Sequence, residues 1–275
     1  MNGSLDVLGG IKFDGLNATA AVLHQNGDDT YDGNYDVYIE NLYTETSGVL
    51  GLQTTRCRNV DIKIQAKNMK ALANNQEGDA IGLCRATLNN GWHRLVRIHD
   101  SSAEDILCVD SSGVPVSEDA DAFTYDSQSA TGLAPETYIL EDFRVRNAGK
   151  RALKGNATSG AINTVVRRGV VESDTWLGTP DGAADRNNGM SSLFTCNSGA
   201  ITIEDVEYSG GAITGVLNAN NTCTKATLRR INAEVQELSP GVYPERTGGA
   251  QTAFMGVVTT GSCLLYTSPS PRDRG

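Results

Sequence analysis

Two aspartates and a basic pair stand at equivalent places in successive segments and could carry acid–base chemistry. Asp79, Asp105 and Arg151 each lie two residues before a central apolar residue, and Lys150 adjoins Arg151. If these segments stack as neighbouring strands, the two carboxyl groups lie about 5 Å apart, a separation suited to retaining glycoside cleavage. Repulsion then raises the pKa of one carboxyl, which supplies an acid and a base together.

The basic residues allow a second reaction at the same place. Arg151 or Lys150 could stabilise an enolate or act as a lyase base. We therefore take Asp79, Asp105 and Arg151 as candidate catalytic residues and Lys150 as a candidate substrate-binding residue. The alternative is that all of them are solvated residues at turns.

Two tryptophans are candidates for contact with a sugar ring. Trp176 lies in a long loop over 173–190, and Trp92 precedes a short apolar segment. An exposed indole presents a large flat surface on which a ring can stack. The alternative for each is packing on the core as a lid.

Acidic residues over 118–126 offer oxygen atoms of the kind that calcium prefers. Glu118, Asp119, Asp121 and Asp126 lack the glycine and glutamate spacing of an EF-hand loop, and the histidines form no zinc or triad spacing. We expect a solvated loop here, with no metal and no cofactor. Bound Ca²⁺ is the alternative.

A repeated apolar pattern must position these residues. Seven segments share one short strand pattern, and we align them on Ile39, Ile62, Val96, Leu140, Val166, Ile203 and Leu228. A second apolar segment follows each, at Val49–Leu52, Ala80–Leu83, Ile106–Val109, Ala152–Leu153, Leu193–Phe194, Ala212–Ile213 and Phe254–Met255. The unequal spacings indicate inserted loops, one of them over about 110–136. Short β segments with Asn- and Gly-rich corners predict an all-β solenoid of parallel strands.

Charged residues test the proposed register. In the last four units the two residues after the anchor are Glu-Asp, Arg-Arg, Glu-Asp and Arg-Arg, beginning at 141, 167, 204 and 229. Opposite charges on stacked strands stabilise the pairing, whereas a slipped register would oppose like charges. A β-sandwich gives no reason for such alternation at these separations.

The strand pattern over residues 36 to 255 resembles the single-stranded right-handed parallel β-helix of the pectate-lyase-like superfamily, with about seven rungs. This resemblance implies a lead-in or cap over 1–35 and a β-helix over 36–262. It further implies a polysaccharide partner and a homotrimer, as in viral tailspikes. The function implied is glycan recognition, with a tailspike-like lyase or glycoside hydrolase as one form. A non-catalytic structural or adhesive repeat of a virion or cell surface is the alternative.

The overall charge and hydropathy exclude other classes. The chain has 275 residues and a formal charge of −10, so it repels phosphate backbones and is not expected to bind nucleic acid. No apolar run is long enough for a membrane helix, and no secretory signal is expected at the start.

The cysteines predict free thiols. Cys57, Cys84, Cys108, Cys196 and Cys223 form no metal-binding spacing, and the expected stacking suggests no pair within disulfide reach. Buried thiols indicate folding in a reducing compartment, such as a host cytoplasm before virion assembly.

The last residues do not resemble a natural protein. Residues 263–273 resemble the translated mosaic end of a transposon-based sequencing adapter, so we leave 263–275 out of the fold. We expect the natural chain to be cut near Ser262 and the gene to come from shotgun reads of a mixed sample.

Overall fold

In the computed structural model, the described residues form an all-β chain. They are 11–14, 21–26, 32–44, 50–55, 58–72, 81–88, 95–114, 120–128, 136–149, 151–159, 162–173, 192–196, 199–210, 215–219, 223–233 and 253–255. That part of the chain has no helix long and apolar enough to cross a membrane.

The strands belong to two sheets. The first sheet contains β1 (Ile11–Asp14), β3 (Asp32–Thr44), β5 (Asn59–Leu72), β7 (Leu95–Val109), β9 (Glu136–Ala148), β11 (Ile162–Ser173), β13 (Gly199–Gly210) and β15 (Cys223–Asn232). The second contains β2 (Ala21–Asn26), β4 (Leu50–Thr55), β6 (Ile81–Leu88), β8 (Ala120–Gln128), β10 (Arg151–Ser159), β12 (Ser192–Cys196), β14 (Gly215–Ala219) and β16 (Ala253–Met255).

Successive strands alternate between the sheets, and each sheet is ordered along the chain. All described pairs are parallel except β14 with β16, which is antiparallel. Each pass of the chain therefore adds one strand to each sheet, which is the connectivity of a parallel solenoid and confirms that prediction. The strands β1 and β2, within the expected lead-in, already pair with β3 and β4.

The predicted apolar column is confirmed in its second half. Leu140 pairs with Val166, which pairs with Ile203, and Ile203 pairs with Leu228. Of the first three anchors, Ile62 was right and Ile39 and Val96 were wrong, because the column continues through Ile98, Ile62 and Tyr35. Val96 and Ile39 lie on the same inward face as the residues of the column. A shift of the register by an even number of residues keeps apolar side chains inside, so the apolar pattern alone does not determine the register.

The second strand of the third unit was also misplaced. Residues Ile106–Val109 are the end of β7 in the first sheet, and the true second-sheet strand is β8, inside the expected insertion over 110–136. The expected strand at Ala212–Ile213 lies outside the described residues, and β14 begins at Gly215.

Two columns of left-handed residues bend the first sheet. One, with φ of 46° to 54°, contains Asp100, Asp142, Arg168, Asp205 and Arg230. The other, with φ of 55° to 57°, contains Asn41, Asn68, Asp105 and Asn147. At each bend the inward positions are three residues apart rather than two, as from Leu140 to Phe143, so both arms face one core. We call these the charged bend column and the amide bend column.

Large and small side chains alternate inside. Gly169 lies beside Phe143 in the register, and a Cβ at Gly169 would overlap the ring. The same ring makes an edge contact with Phe123 of the second sheet, with centroids 6.3 Å apart. The two sheets therefore share one packed interior.

Candidate functional site

Asp105 lies in the amide bend column of the first sheet. Its neighbours there are Asn68 and Asn147, and Asn147 Nδ2 donates a 2.9 Å hydrogen bond to Asp105 Oδ1. One strand earlier, Asn68 Nδ2 donates to Asn41 Oδ1 at 2.8 Å. Asp and Asn adopt a left-handed backbone more readily than most residues, so the bend accounts for the residue type at 105.

Arg151 lies in the second sheet, where its neighbour is Asp121 rather than Asp105. Arg151 Nη1 is 3.1 Å from Asp121 Oδ1, and both side chains are fully buried. Position 151 has the same parity as Leu153, so it faces the core, as strand alternation requires. This geometry corrects two expectations: Arg151 does not stack on Asp105, and Asp121 belongs to a strand interior instead of a solvated loop.

Several candidates fall outside the described residues. These are Asp79, Lys150, Trp92, Trp176, Glu118 and Asp119. Their predicted roles in catalysis, sugar contact or calcium binding stay predictions. Among the residues that the structure describes, no group of three or more His, Cys, Asp or Glu could hold a metal ion.

The charged bend column confirms the predicted alternation. Arg168 donates two hydrogen bonds of 2.7 Å to the carboxylate of Asp142. Arg230 makes the same bidentate contact with Asp205. In both carboxyl groups, the hydrogen bond from the arginine holds the pKa below its ordinary value. These contacts hold in place the side chains of the two arginines that have left-handed φ.

Glu141 is the centre of this surface network. Its carboxylate accepts hydrogen bonds from Arg97 at 2.6 Å and from Arg167 and Arg168 at 2.7 Å, and its side chain is 2% exposed. Burial alone would raise the pKa of Glu141, but the three guanidinium groups outweigh it and lower the pKa to about 2. A carboxylate so fully engaged is stabilised as an anion and is poorly suited to act as an acid.

Within the part of the chain that the structure describes, a depression on the outside of the first sheet is a candidate for ligand contact. We call it the outer-face depression; its volume is about 290 Å³, and it is lined by Tyr38, Gln65, Ala66, Lys67, Ser102, Ala103, Glu104, Arg144 and Arg146. Tyr38, Gln65, Ser102 and Arg144 form one continuous row across β3, β5, β7 and β9. Lys67, Glu104 and Arg146 form the adjoining row.

The depression is rich in cations on an acidic protein. Among the described residues that line it, Lys67, Arg144 and Arg146 stand against one carboxylate, that of Glu104. Glu104 Oε2 lies 3.5 Å from Lys67 Nζ, and Glu104 Oε1 lies 3.5 Å from Arg146 Nη1. Arg144 donates to Glu172 Oε2 at 2.6 Å, and its side chain is 61% exposed. The cations are therefore held in place while they still face solvent.

The sequence prediction missed this depression although its signal was present. Outward residues alternate with buried ones on both sides, as Tyr38 does between Val37 and Ile39. The four outward side chains become neighbours only in the correct register. The alignment on Ile39 and Val96 placed the early units out of register, so the row did not appear.

Two cysteines also meet where no pair was expected. Cys196 Sγ and Cys223 Sγ lie 2.8 Å apart, one at the end of β12 and the other at the start of β15. The missed signal is a corner: Cys223 stacks on Gly199, three residues after Cys196.

Comparison with known proteins gives no identification. No protein-family model, curated protein or solved structure matches the chain.

Proposed function

We propose that the protein binds an extended acidic polysaccharide in the outer-face depression. In this proposal it is a right-handed β-helix of the pectate-lyase-like, tailspike-like kind, because crossovers between parallel strands strongly favour that hand. Its role is adhesion to a glycan-coated surface.

The observation that carries the proposal is the row of Tyr38, Gln65, Ser102 and Arg144. It combines an aromatic face, an amide, a hydroxyl and a guanidinium on four parallel strands about 4.8 Å apart. Such a row can offer contacts to successive units of one linear polymer. Since every member lies on a strand, little backbone conformational entropy is lost on binding.

The charge of the depression favours an acidic polymer. Guanidinium groups bind carboxylates or sulfates through paired hydrogen bonds, and Arg144 presents an exposed one at the β9 end of the row. Uronate or sulfate groups would add to the contacts that Arg144 makes with Glu172. A neutral glycan lacks that contribution.

Binding to acidic and neutral polysaccharides, measured by calorimetry, tests the proposal. Arg144→Ala should weaken binding to an acidic polymer about tenfold or more, because a charged hydrogen bond is lost. Arg229→Ala is the matched control, since both arginine side chains are 61% exposed and Arg229 lies outside the depression. Equal affinity of wild type and Arg144→Ala would contradict the proposal.

The aromatic contact has its own matched pair. Tyr38→Ala should weaken binding severalfold, because the ring surface is lost. Tyr43→Ala, which removes a 42% exposed ring from the same strand outside the depression, should leave binding unchanged.

Cleavage can be measured in the same samples. Binding without reducing-end release or ultraviolet absorbance from an unsaturated uronate supports the adhesive role. Product release that Asp79→Asn abolishes would instead favour the depolymerase. Product release that Asp79→Asn leaves intact would exclude Asp79 as the acid.

A further inference from the structure

Cys196 and Cys223 are placed to form a bond between the two sheets. Their Sγ atoms are 2.8 Å apart, about 0.8 Å more than the length of a disulfide bond. Cys196 ends β12 of the second sheet, and Cys223 begins β15 of the first. Only a small movement would join them.

The two thiols differ in access. Cys196 is fully buried, whereas Cys223 is partly exposed. The Cys196 thiol donates its hydrogen to Cys223 Sγ, which favours the thiolate of Cys223. This hydrogen bond lowers the pKa of Cys223, against the opposing effect of burial. Cys223 is therefore suited to attack an external disulfide, and Cys196 is placed to act as the resolving thiol.

We propose that Cys196 and Cys223 are a modification site at which a small-molecule disulfide oxidises the pair to an intramolecular cystine. This inference is independent of glycan binding. The Cys223 thiolate attacks oxidised glutathione, forming a mixed disulfide and releasing one glutathione thiolate. Cys196 then attacks the Cys223 sulfur, releases the second glutathione, and its proton passes to that leaving thiolate. Two protein thiols are oxidised, and one glutathione disulfide is reduced to two thiols.

The surroundings hold the pair in this arrangement. Cys196 follows Gly155 in the second-sheet column, and Gly155 follows Tyr125. Tyr125 fills the space that Gly155 leaves, and its hydroxyl is 2.8 Å from Thr164 Oγ1. Cys196 is itself fully buried in this column beside Cys223, so we expect ring closure to be favoured over a lasting mixed disulfide.

Peptide mapping of the full chain, treated with oxidised glutathione and then alkylated, tests the step. Trypsin cuts after Arg186 and Lys225, so residues 187–225 contain Cys196 and Cys223 and no other cysteine. That peptide should lose two hydrogens and resist alkylation. A second cut after Glu204 or Glu207 should leave two fragments joined until reduction.

Three variants separate the roles of the sulfurs. Cys196→Ser should stop at a glutathione adduct on Cys223, whereas Cys223→Ser should leave Cys196 unmodified because it is buried. Cys108→Ser, which removes a buried thiol elsewhere, should still form the cystine. A stable glutathione adduct on the wild type, a cystine involving any other cysteine, or unreacted thiols at 196 and 223 would overturn the proposal.

Thermal unfolding gives a second readout. The cystine closes a loop of 27 positions, which should raise Tm by about 5–10 °C relative to the reduced protein. The double variant Cys196→Ser/Cys223→Ser should melt at the same temperature with and without oxidant. A shift in that double variant would assign the effect to other thiols.

Discussion

At the residue scale, Glu141 is covered by guanidinium groups instead of apolar side chains. Arg97 reaches it from β7, and Arg167 and Arg168 reach it from β11, so one carboxylate ties three consecutive strands of the first sheet together. Exposed ion pairs contribute little to stability, but this acceptor is removed from water and makes several charged hydrogen bonds. Its loss would leave three clustered cations facing each other.

Replacement of the Glu141 carboxylate tests how much it contributes to the free energy of unfolding. Glu141→Gln keeps the size and removes the charge, so we expect the free energy of unfolding in urea to fall by about 1–3 kcal/mol. Glu207→Gln is the control, because Glu207 is exposed on β13, two strands away in the same sheet, and should change stability by less than about 0.5 kcal/mol. Equal effects of the two variants would show that the cluster adds nothing.

The candidate residues show where sequence reasoning stops at this scale. A period of two already places Arg151 on the inner face, but only the register reveals that Asp121 is its partner. Asp105 has the residue type of a catalytic acid and also that of a left-handed bend, and the sequence around it fits both. The backbone φ of 55° at Asp105 and the hydrogen bond that it accepts from Asn147 give a structural reason for an aspartate at this position.

At the scale of the element, the long strands of the first sheet are bent rather than straight. The strands β7 and β9 have 15 and 13 residues, and each contains two left-handed residues at which it changes direction. The sequence predicted the strands through their apolar alternation. It did not predict the bends, because each one changes the inward spacing from two residues to three. Because of that change, the apolar pattern alone predicts a separate second-sheet strand at Ile106–Val109, where the structure has the end of β7.

A substitution in the amide bend column tests whether its side-chain hydrogen bonds or its left-handed backbone contributes more to the free energy of unfolding. Asn68→Ala places an alanine at a left-handed φ and removes the side-chain hydrogen bond to Asn41. We therefore expect the free energy of unfolding to fall by about 1–2 kcal/mol. Asn68→Gly should lose less, because glycine adopts positive φ without strain. If glycine is the worse replacement, the backbone explanation is wrong.

The control for this series is an asparagine in extended backbone. Asn163 is exposed on β11 and has no positive φ, so Asn163→Ala should change stability by less than about 0.5 kcal/mol. A similar loss at both positions would mean that the column has no special role.

At the scale of the whole molecule, each pass of the chain contacts mainly its neighbours, so stability is a sum of local contributions. Among the described residues, the carboxyl groups with lowered pKa lie at contacts between successive strands: Asp32 with Arg58, the Glu141 cluster, Asp142 with Arg168 and Asp205 with Arg230. The sequence predicted this electrostatic register in the last four units from charge alternation alone. In the earlier units it could not, because Arg97 reaches Glu141 diagonally, from a position paired with Ile139.

These carboxyl groups predict a loss of stability in acid. Their pKa is lower in the folded chain than in the unfolded chain, so their contribution is complete above the ordinary carboxyl pKa of about 4 and declines as the pH falls through the folded values. For Glu141 that value is about 2. We expect the urea midpoint, followed by circular dichroism, to stay level from about pH 7 to pH 5 and to fall steadily below about pH 4.5. The double variant Glu141→Gln/Asp142→Asn should start lower and fall less steeply, because two of the titrating groups are gone. A wild-type midpoint that holds to about pH 2.5 would mean that these ion pairs do not stabilise the stacked strands.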